Sequence, residues 1–256
     1  MIECGSLEFA QARLQARHAQ RLSAAAWQRL ETTREFAALL ESARSSALHP
    51  WLAGITPAST SHQIEAVLRA HWRALVAEVA GWMPAAWQAS VAWCASLPDL
   101  PLLQHLARGG EPSAWMHDDP DYRSLCAVAR SERRAALAGG KFGALASAWL
   151  EPALLARAWR AEWQRRLPER PDDDEHDTLH QLTAALLQHG AAFAAAAPGS
   201  GGLLRRSLQA RLSLLLRRAT LEPAAAFIHV ALCALDLERL RGELLSCLLF
   251  RRARVA

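Results

Sequence analysis

The stretch FIHVALCALDLERLRGELLSCLLFRR, residues 227–252, reads as one uninterrupted helix. It has no proline, one glycine, and apolar residues recurring every three or four positions. Val230, Cys233, Leu237, Leu240, Leu244 and Leu248 form a seam, and His229, Asp236, Arg239 and Glu243 form a polar stripe beside it. A helix this apolar needs packing partners along most of its length, and its charged stripe must be either solvated or docked.

Working outward, the rest of the chain supplies helical partners. One arginine-rich segment, LLRRSLQARLSLLLRRA, precedes the turn TLEP, and the linker APGSGG, residues 197–202, separates it from the helix before. Its arginines (Arg205, Arg206, Arg211, Arg217 and Arg218) could touch anionic lipid or phosphate, although a solvated face is the commoner meaning of such a run. Near the N-terminus, helical periodicity begins at Leu7. A second helix is expected from Ser23 as N-cap through SAAAWQRLETTREFAALLESA, with Trp27, Leu30, Phe36, Leu39 and Leu40 at helical spacings. A third is expected in SHQIEAVLRAHWRALVAEVAGW, with Ser61 as cap and Ile64, Val67, Leu68, Trp72, Leu75 and Val79 on one stripe. Short helices follow around PAAWQASVAWCASL and DLPLLQHLARGG, the latter closed by Gly109 and Gly110. From Pro152, Leu155, Trp159 and Trp163 align four residues apart, opposite a face rich in arginine.

Composition agrees with an all-α chain. Hydrophobic residues make up 52% and charged residues 21% of the 256 residues, which places the chain far from the disordered class. Ala, Leu, Arg, Glu and Gln dominate while Ile, Val, Tyr and Thr are sparse, so essentially no β structure is expected. All ten tryptophans precede the acidic segment PERPDDDEHD. The expected organisation is therefore an N-terminal, Trp-rich set of lobes over residues 1–167, an acidic linker over 168–177 and a C-terminal lobe over 178–256.

Several function classes are disfavoured. A net charge of +4 is too dilute to argue for nucleic acid. The five cysteines, an odd number without a CxxC pair, read as reduced core residues of a cytosolic protein. The N-terminus lacks a basic segment followed by an apolar one, so no signal peptide is expected, and no uncharged run of 18 apolar residues suggests a membrane span. HDTLH sets His176 and His180 four apart beside carboxylates, a weak candidate for a divalent metal; an acidic linker with Asp177 capping the next helix is the competing reading. AGGKFG, residues 138–143, lacks the first glycine, the Ser/Thr and the preceding strand of a phosphate-binding loop. No GxSxG or local nucleophilic arrangement is present, so no catalytic residue and no cofactor are expected.

Two stretches, DLPLLQHL from Asp99 and DLERLRGELL from Asp236, share the pattern Asp-Leu-x-x-Leu. Together with FAQARLQAR (Phe9, Ala12, Arg13, Arg17), LETTREFAALL with Phe36, and IEAVLRAHW, they resemble in order the motifs of the C/d family of V-type ATPase subunits. The asparagine of that family's acidic-then-Asn-Leu-Arg signature is absent from both copies. The resemblance implies a lobed, funnel-like, all-helical adaptor, non-catalytic and without a membrane span. It would be peripheral on the cytoplasmic face of a membrane complex, seated between the proteolipid rotor ring and the central stalk and serving ion transport. It further implies partner-binding roles for Arg13, Arg17, Asp99, Asp236, Arg239, Arg241 and Glu243. An unrelated helical scaffold or regulatory protein, and a metal-dependent helical enzyme using His176 and His180, are the other readings.

Overall fold

The structure, a computed structural model, describes residues 5–169, 174–197 and 199–255, with side chains described for 5–169, 178–197 and 199–248. No strand occurs among the described residues. The chain forms α1 (Leu7–Ala19), α2 (Ala24–Thr32), α3 (Phe36–Arg44), α4 (Ser61–Trp82), α5 (Ala85–Trp93), α6 (Leu100–Ala107), α7 (Arg123–Cys126), α8 (Arg133–Ala138), α9 (Leu155–Arg165), α10 (Asp174–Ala194), α11 (Gly201–Arg218) and α12 (Ala224–Val255). Short 3-10 turns fill several of the connections, among them His49–Leu52 and Cys94–Asp99.

Two compact units result, one made of Met1–Val91 with Glu169–Ala256 and the other of Ala92–Pro168. This differs from the consecutive lobes expected from composition. The C-terminal helices do not make a lobe of their own, because α12 packs against α1, α3 and α4 as well as α10 and α11. The tryptophan distribution is a poor guide to the division. Trp27, Trp51, Trp72, Trp82 and Trp87 belong to the first unit, which also holds the tryptophan-free helices α10, α11 and α12. Trp87, for instance, meets Phe227 of α12 edge-on, with ring centroids 6.1 Å apart.

The expected helix from Ser23 to Ala43 is two helices. Ser23 caps α2 through its hydroxyl, which accepts from the Ala26 N–H, and the chain then breaks at Thr33. Glu35 opens α3 by accepting from the N–H groups of Ala37 and Ala38. A carboxylate at a helix start also meets the positive end of the helix dipole. The cap of α4 lies one residue earlier than expected. Thr60 accepts from Gln63 N–H and the Gln63 side chain bonds back to Thr60 N–H, a complete capping box. Thr60→Ala should lower stability by roughly 1 kcal/mol in thermal denaturation while Thr60→Ser stays near wild type. An equal loss in both variants would show that the hydroxyl is not the cause. Within α4, Ile64, Leu68, Trp72, Val76 and Val79 are buried, a stripe that meets α12.

In the second unit α6 ends in a Schellman turn, with Gly109 at φ +90°, its N–H donating to Leu106 and the Gly110 N–H to His105. Leu155, Trp159 and Trp163 of α9 are buried together, as their spacing predicts. Trp159 stacks on Trp93 at 6.2 Å, and its indole donates to Ser96 Oγ at 2.7 Å. The acidic segment is shorter as a connection than expected. Residues 170–173 lie outside the described residues, and helix α10 is already running at Asp174, so Asp177 sits inside it and not at a cap. Residues 139–142 form the turn after α8, with no strand before it.

Candidate functional site

His229, Cys233 and Asp236 stand at i, i+4 and i+7 on α12, which places them on one helical face. That face turns toward the end of α1, where Arg17, His18 and Arg21 project from the last turn and the residues just after it. Between them, and bounded also by α4 and the 3-10 turn His49–Leu52, lies a cavity of about 230 Å³. Its walls are mostly apolar, with Leu48, Trp51 and Leu75 beside Arg17, Arg21 and Glu78.

Arg21 holds Asp236 in a two-pronged bond, Nε donating to Oδ2 at 2.7 Å and Nη2 to Oδ1 at 2.9 Å; Nη2 also reaches the Leu232 carbonyl at 3.4 Å. Both side chains are only 11% exposed. Planar guanidinium against carboxylate is the geometry in which a charge pair is strongest. Arg17 pairs with Glu78 of α4 at 2.8 Å, an exposed bond. His229 is buried, and burial, with Arg21, His18 and Arg17 adding repulsion, pushes its pKa down to about 4. His18 is shifted in the same direction, first by burial and then by Arg21 and Arg217, with Asp236 opposing. Burial drives the Cys233 thiol up to about 12. At neutral pH the cavity therefore presents a neutral imidazole, a protonated thiol 3.5 Å from its Nε2, and a carboxylate already committed to arginine. A thiol held this far from ionisation is a poor nucleophile, and the groups act to hold α1 and α12 together.

Further along α12, Arg239 bonds Glu31 of α2 through Nε at 2.7 Å and lies over the Trp27 ring at 4.5 Å. Arg241 bonds Glu65 of α4. Glu243 is half-buried, and burial together with the nearby Glu31 raises its pKa, against Arg239 and Arg34. The polar stripe expected to be solvated or docked is docked, onto the protein's own helices.

Of the residues assigned to partners, Arg17 and Asp236 come together at this cavity, while Arg239 and Arg241 are engaged inside the same unit. Arg13 is exposed on α1 with its guanidinium 5.4 Å from the Phe9 ring. Asp99 needs correction. It is 1% exposed, accepts from Tyr122 Oη at 2.9 Å, and is thus a buried structural residue of the other unit. Nor does it share a setting with Asp236, since Asp99 borders the start of α6 and Asp236 lies mid-helix. His180 is exposed on α10, and the side chain of His176 lies outside the described residues. Among the described residues no group of three His, Cys, Asp or Glu side chains is placed to hold a metal ion.

Arg21 and Glu78 escape a reading of the sequence. Arg21 lies two residues past the end of α1, outside the motif FAQARLQAR, and Glu78 is an exposed residue at the edge of the apolar stripe of α4. A buried aspartate at mid-helix is the available signal, since such a group needs a cation from somewhere. Comparisons of the chain with protein-family models, with curated proteins and with solved structures each return no match.

Proposed function

We propose that this chain is a non-catalytic adaptor of a V-type rotary ATPase, coupling a membrane rotor ring to a central stalk and sitting peripherally on the cytoplasmic face of that complex. One observation supports the reading: three of the short segments that resemble the C/d family meet one another, with DLERLRGELL the partner of both IEAVLRAHW and LETTREFAALL. Arg241 in DLERLRGELL bonds Glu65 in IEAVLRAHW across 176 residues of sequence, and Arg239 in the same segment bonds Glu31 in LETTREFAALL across 208. Arg17 of FAQARLQAR pairs with Glu78 of α4, and Arg21 just beyond it holds Asp236. A scatter of chance motif likenesses gives no reason for these segments to clasp each other. In this reading the stripe keeps the adaptor body stiff, as the transmission of torque requires, and partners bind elsewhere on its surface. No helix among the described residues is long and apolar enough to cross a membrane, which is compatible with a peripheral seat.

The second reading, a helical scaffold unrelated to that family, draws on the unlike settings of Asp99 and Asp236, which weaken the argument from a duplicated unit. Purification of the tagged protein from native membranes in mild detergent, with mass spectrometry of what accompanies it, separates the two. The adaptor reading expects a proteolipid and central-stalk proteins in comparable amounts. Recovery of the protein alone would overturn it in favour of the scaffold.

A further inference from the structure

Helices α10 and α11 pack against each other, and residues 178–221, which span most of that hairpin, contain no aspartate or glutamate. They hold five arginines: Arg205, Arg206, Arg211, Arg217 and Arg218. Of the chain's 29 basic and 25 acidic residues, 24 basic and 25 acidic therefore lie elsewhere, so this hairpin accounts for the entire net positive charge of +4. It is also where most of the exposed large apolar side chains gather. Leu203 is 66% exposed, and Leu186, Leu187, Phe193 and Leu214 stand out on the same two helices.

On α11 the two properties share a face. Leu203, Arg206, Ala210, Leu214 and Arg217 succeed one another at steps of three and four and all are exposed, so two leucines and two arginines lie along one side. The opposite side, Leu208, Leu212, Leu215 and Leu216, is buried in the bundle. Near the turn, the Arg205 guanidinium lies 5.8 Å from the Phe193 ring.

We propose that the outer face of the α10–α11 hairpin docks on an anionic phospholipid surface. A bilayer interface takes both halves of this pattern at once: leucine and phenylalanine enter the boundary between headgroups and acyl chains, and arginines beside them meet phosphates. A second copy of this chain is a poor occupant, because two such faces, each with Arg206 and Arg217 exposed and no acid of the hairpin between them, repel; Arg205, by contrast, turns toward Glu238 of α12 at 3.7 Å. Double-stranded nucleic acid would use the arginines and leave the leucines wet. This docking is independent of the adaptor reading: it describes how the protein meets lipid, whatever complex it serves.

The test is co-sedimentation of the full chain with vesicles of phosphatidylcholine alone or mixed with phosphatidylserine. Binding is expected only to the anionic vesicles and should fade at high salt as the charges are screened. Arg206→Gln with Arg217→Gln should weaken it roughly 30-fold, at about a factor of five per arginine. Phe193→Ser with Leu203→Ser should weaken it on the order of 10-fold with the charge unchanged. All four residues are exposed, so circular dichroism should match wild type. Equal binding to both vesicle types, or none to either, overturns the proposal. So does capture by soluble polyglutamate as tight as by vesicles and indifferent to the Phe193 and Leu203 changes, which would mark the hairpin as a site for an acidic protein.

Discussion

An Asp236→Ala variant will unfold at markedly lower denaturant than wild type, with a loss of roughly 3 kcal/mol in the transition of the unit that holds α12. The magnitude follows from what is left behind. Arg21 is almost wholly withdrawn from water and bonded through two nitrogens to this one carboxylate, so deletion strands a buried cation with only the Leu232 carbonyl for company. A solvated ion pair would cost well under 1 kcal/mol, and a loss that small would refute the clasp between α1 and α12. Arg21→Met combined with Asp236→Leu is the control: with both charges gone, most of the stability should return, because an apolar pair of similar volume avoids desolvation altogether. Failure of that rescue would mean that Asp236 acts through some contact other than Arg21.

The second large effect is acid sensitivity centred on His229. Its folded pKa of about 4 lies below the ordinary value of 6.5, so the unfolded chain binds a proton across that interval that the folded chain refuses. Stability from this group is intact above pH 6.5, falls as pH drops toward 4, and stops falling below that. At 1.36 kcal/mol per unit, the loss across the window is roughly 3 kcal/mol. The groups around the imidazole act together: Arg21, Arg17 and His18 all oppose a further positive charge, and the Cys233 thiol remains protonated throughout. His18, shifted the same way, adds to the slope. Denaturant titrations at several pH values between about 7 and 4 should show His229→Gln with a much flatter dependence than wild type, whatever its absolute stability. Parallel slopes for the two proteins would place the acid response in other groups.

How far the sequence could be read depended on whether a residue's partner was local. Helix existence, the caps at Ser23 and near Ser61, the glycine turn after α6 and the tryptophan ladder of α9 rest on neighbours within a few positions, and the pattern shows them. The break between α2 and α3 was hidden because apolar spacing continues across it; the clue was Glu35, a side chain able to cap. Partners far apart in the chain left no such trace. Asp236 and Arg239 could be recognised as unusual on an apolar helix, but whether they faced water, another protein or their own chain depended on Arg21 and Glu31, which lie at the other end of the sequence. The same limit produced the lobe error, for composition along a chain cannot reveal that its last helices fold onto its first.

That closure of the first unit by its last helix sets an order on synthesis. Residues 92–168 form a continuous unit and can collapse as soon as they leave the ribosome, whereas α1 to α4 must wait for α12. At typical elongation rates the interval from residue 91 to the completion of α12 is on the order of ten seconds or more. During it the buried stripe of α4, with Ile64, Leu68 and Trp72, faces solvent or a chaperone. A nascent chain stalled before Ala224 should therefore carry chaperones on its first helices and shed them when α12 emerges.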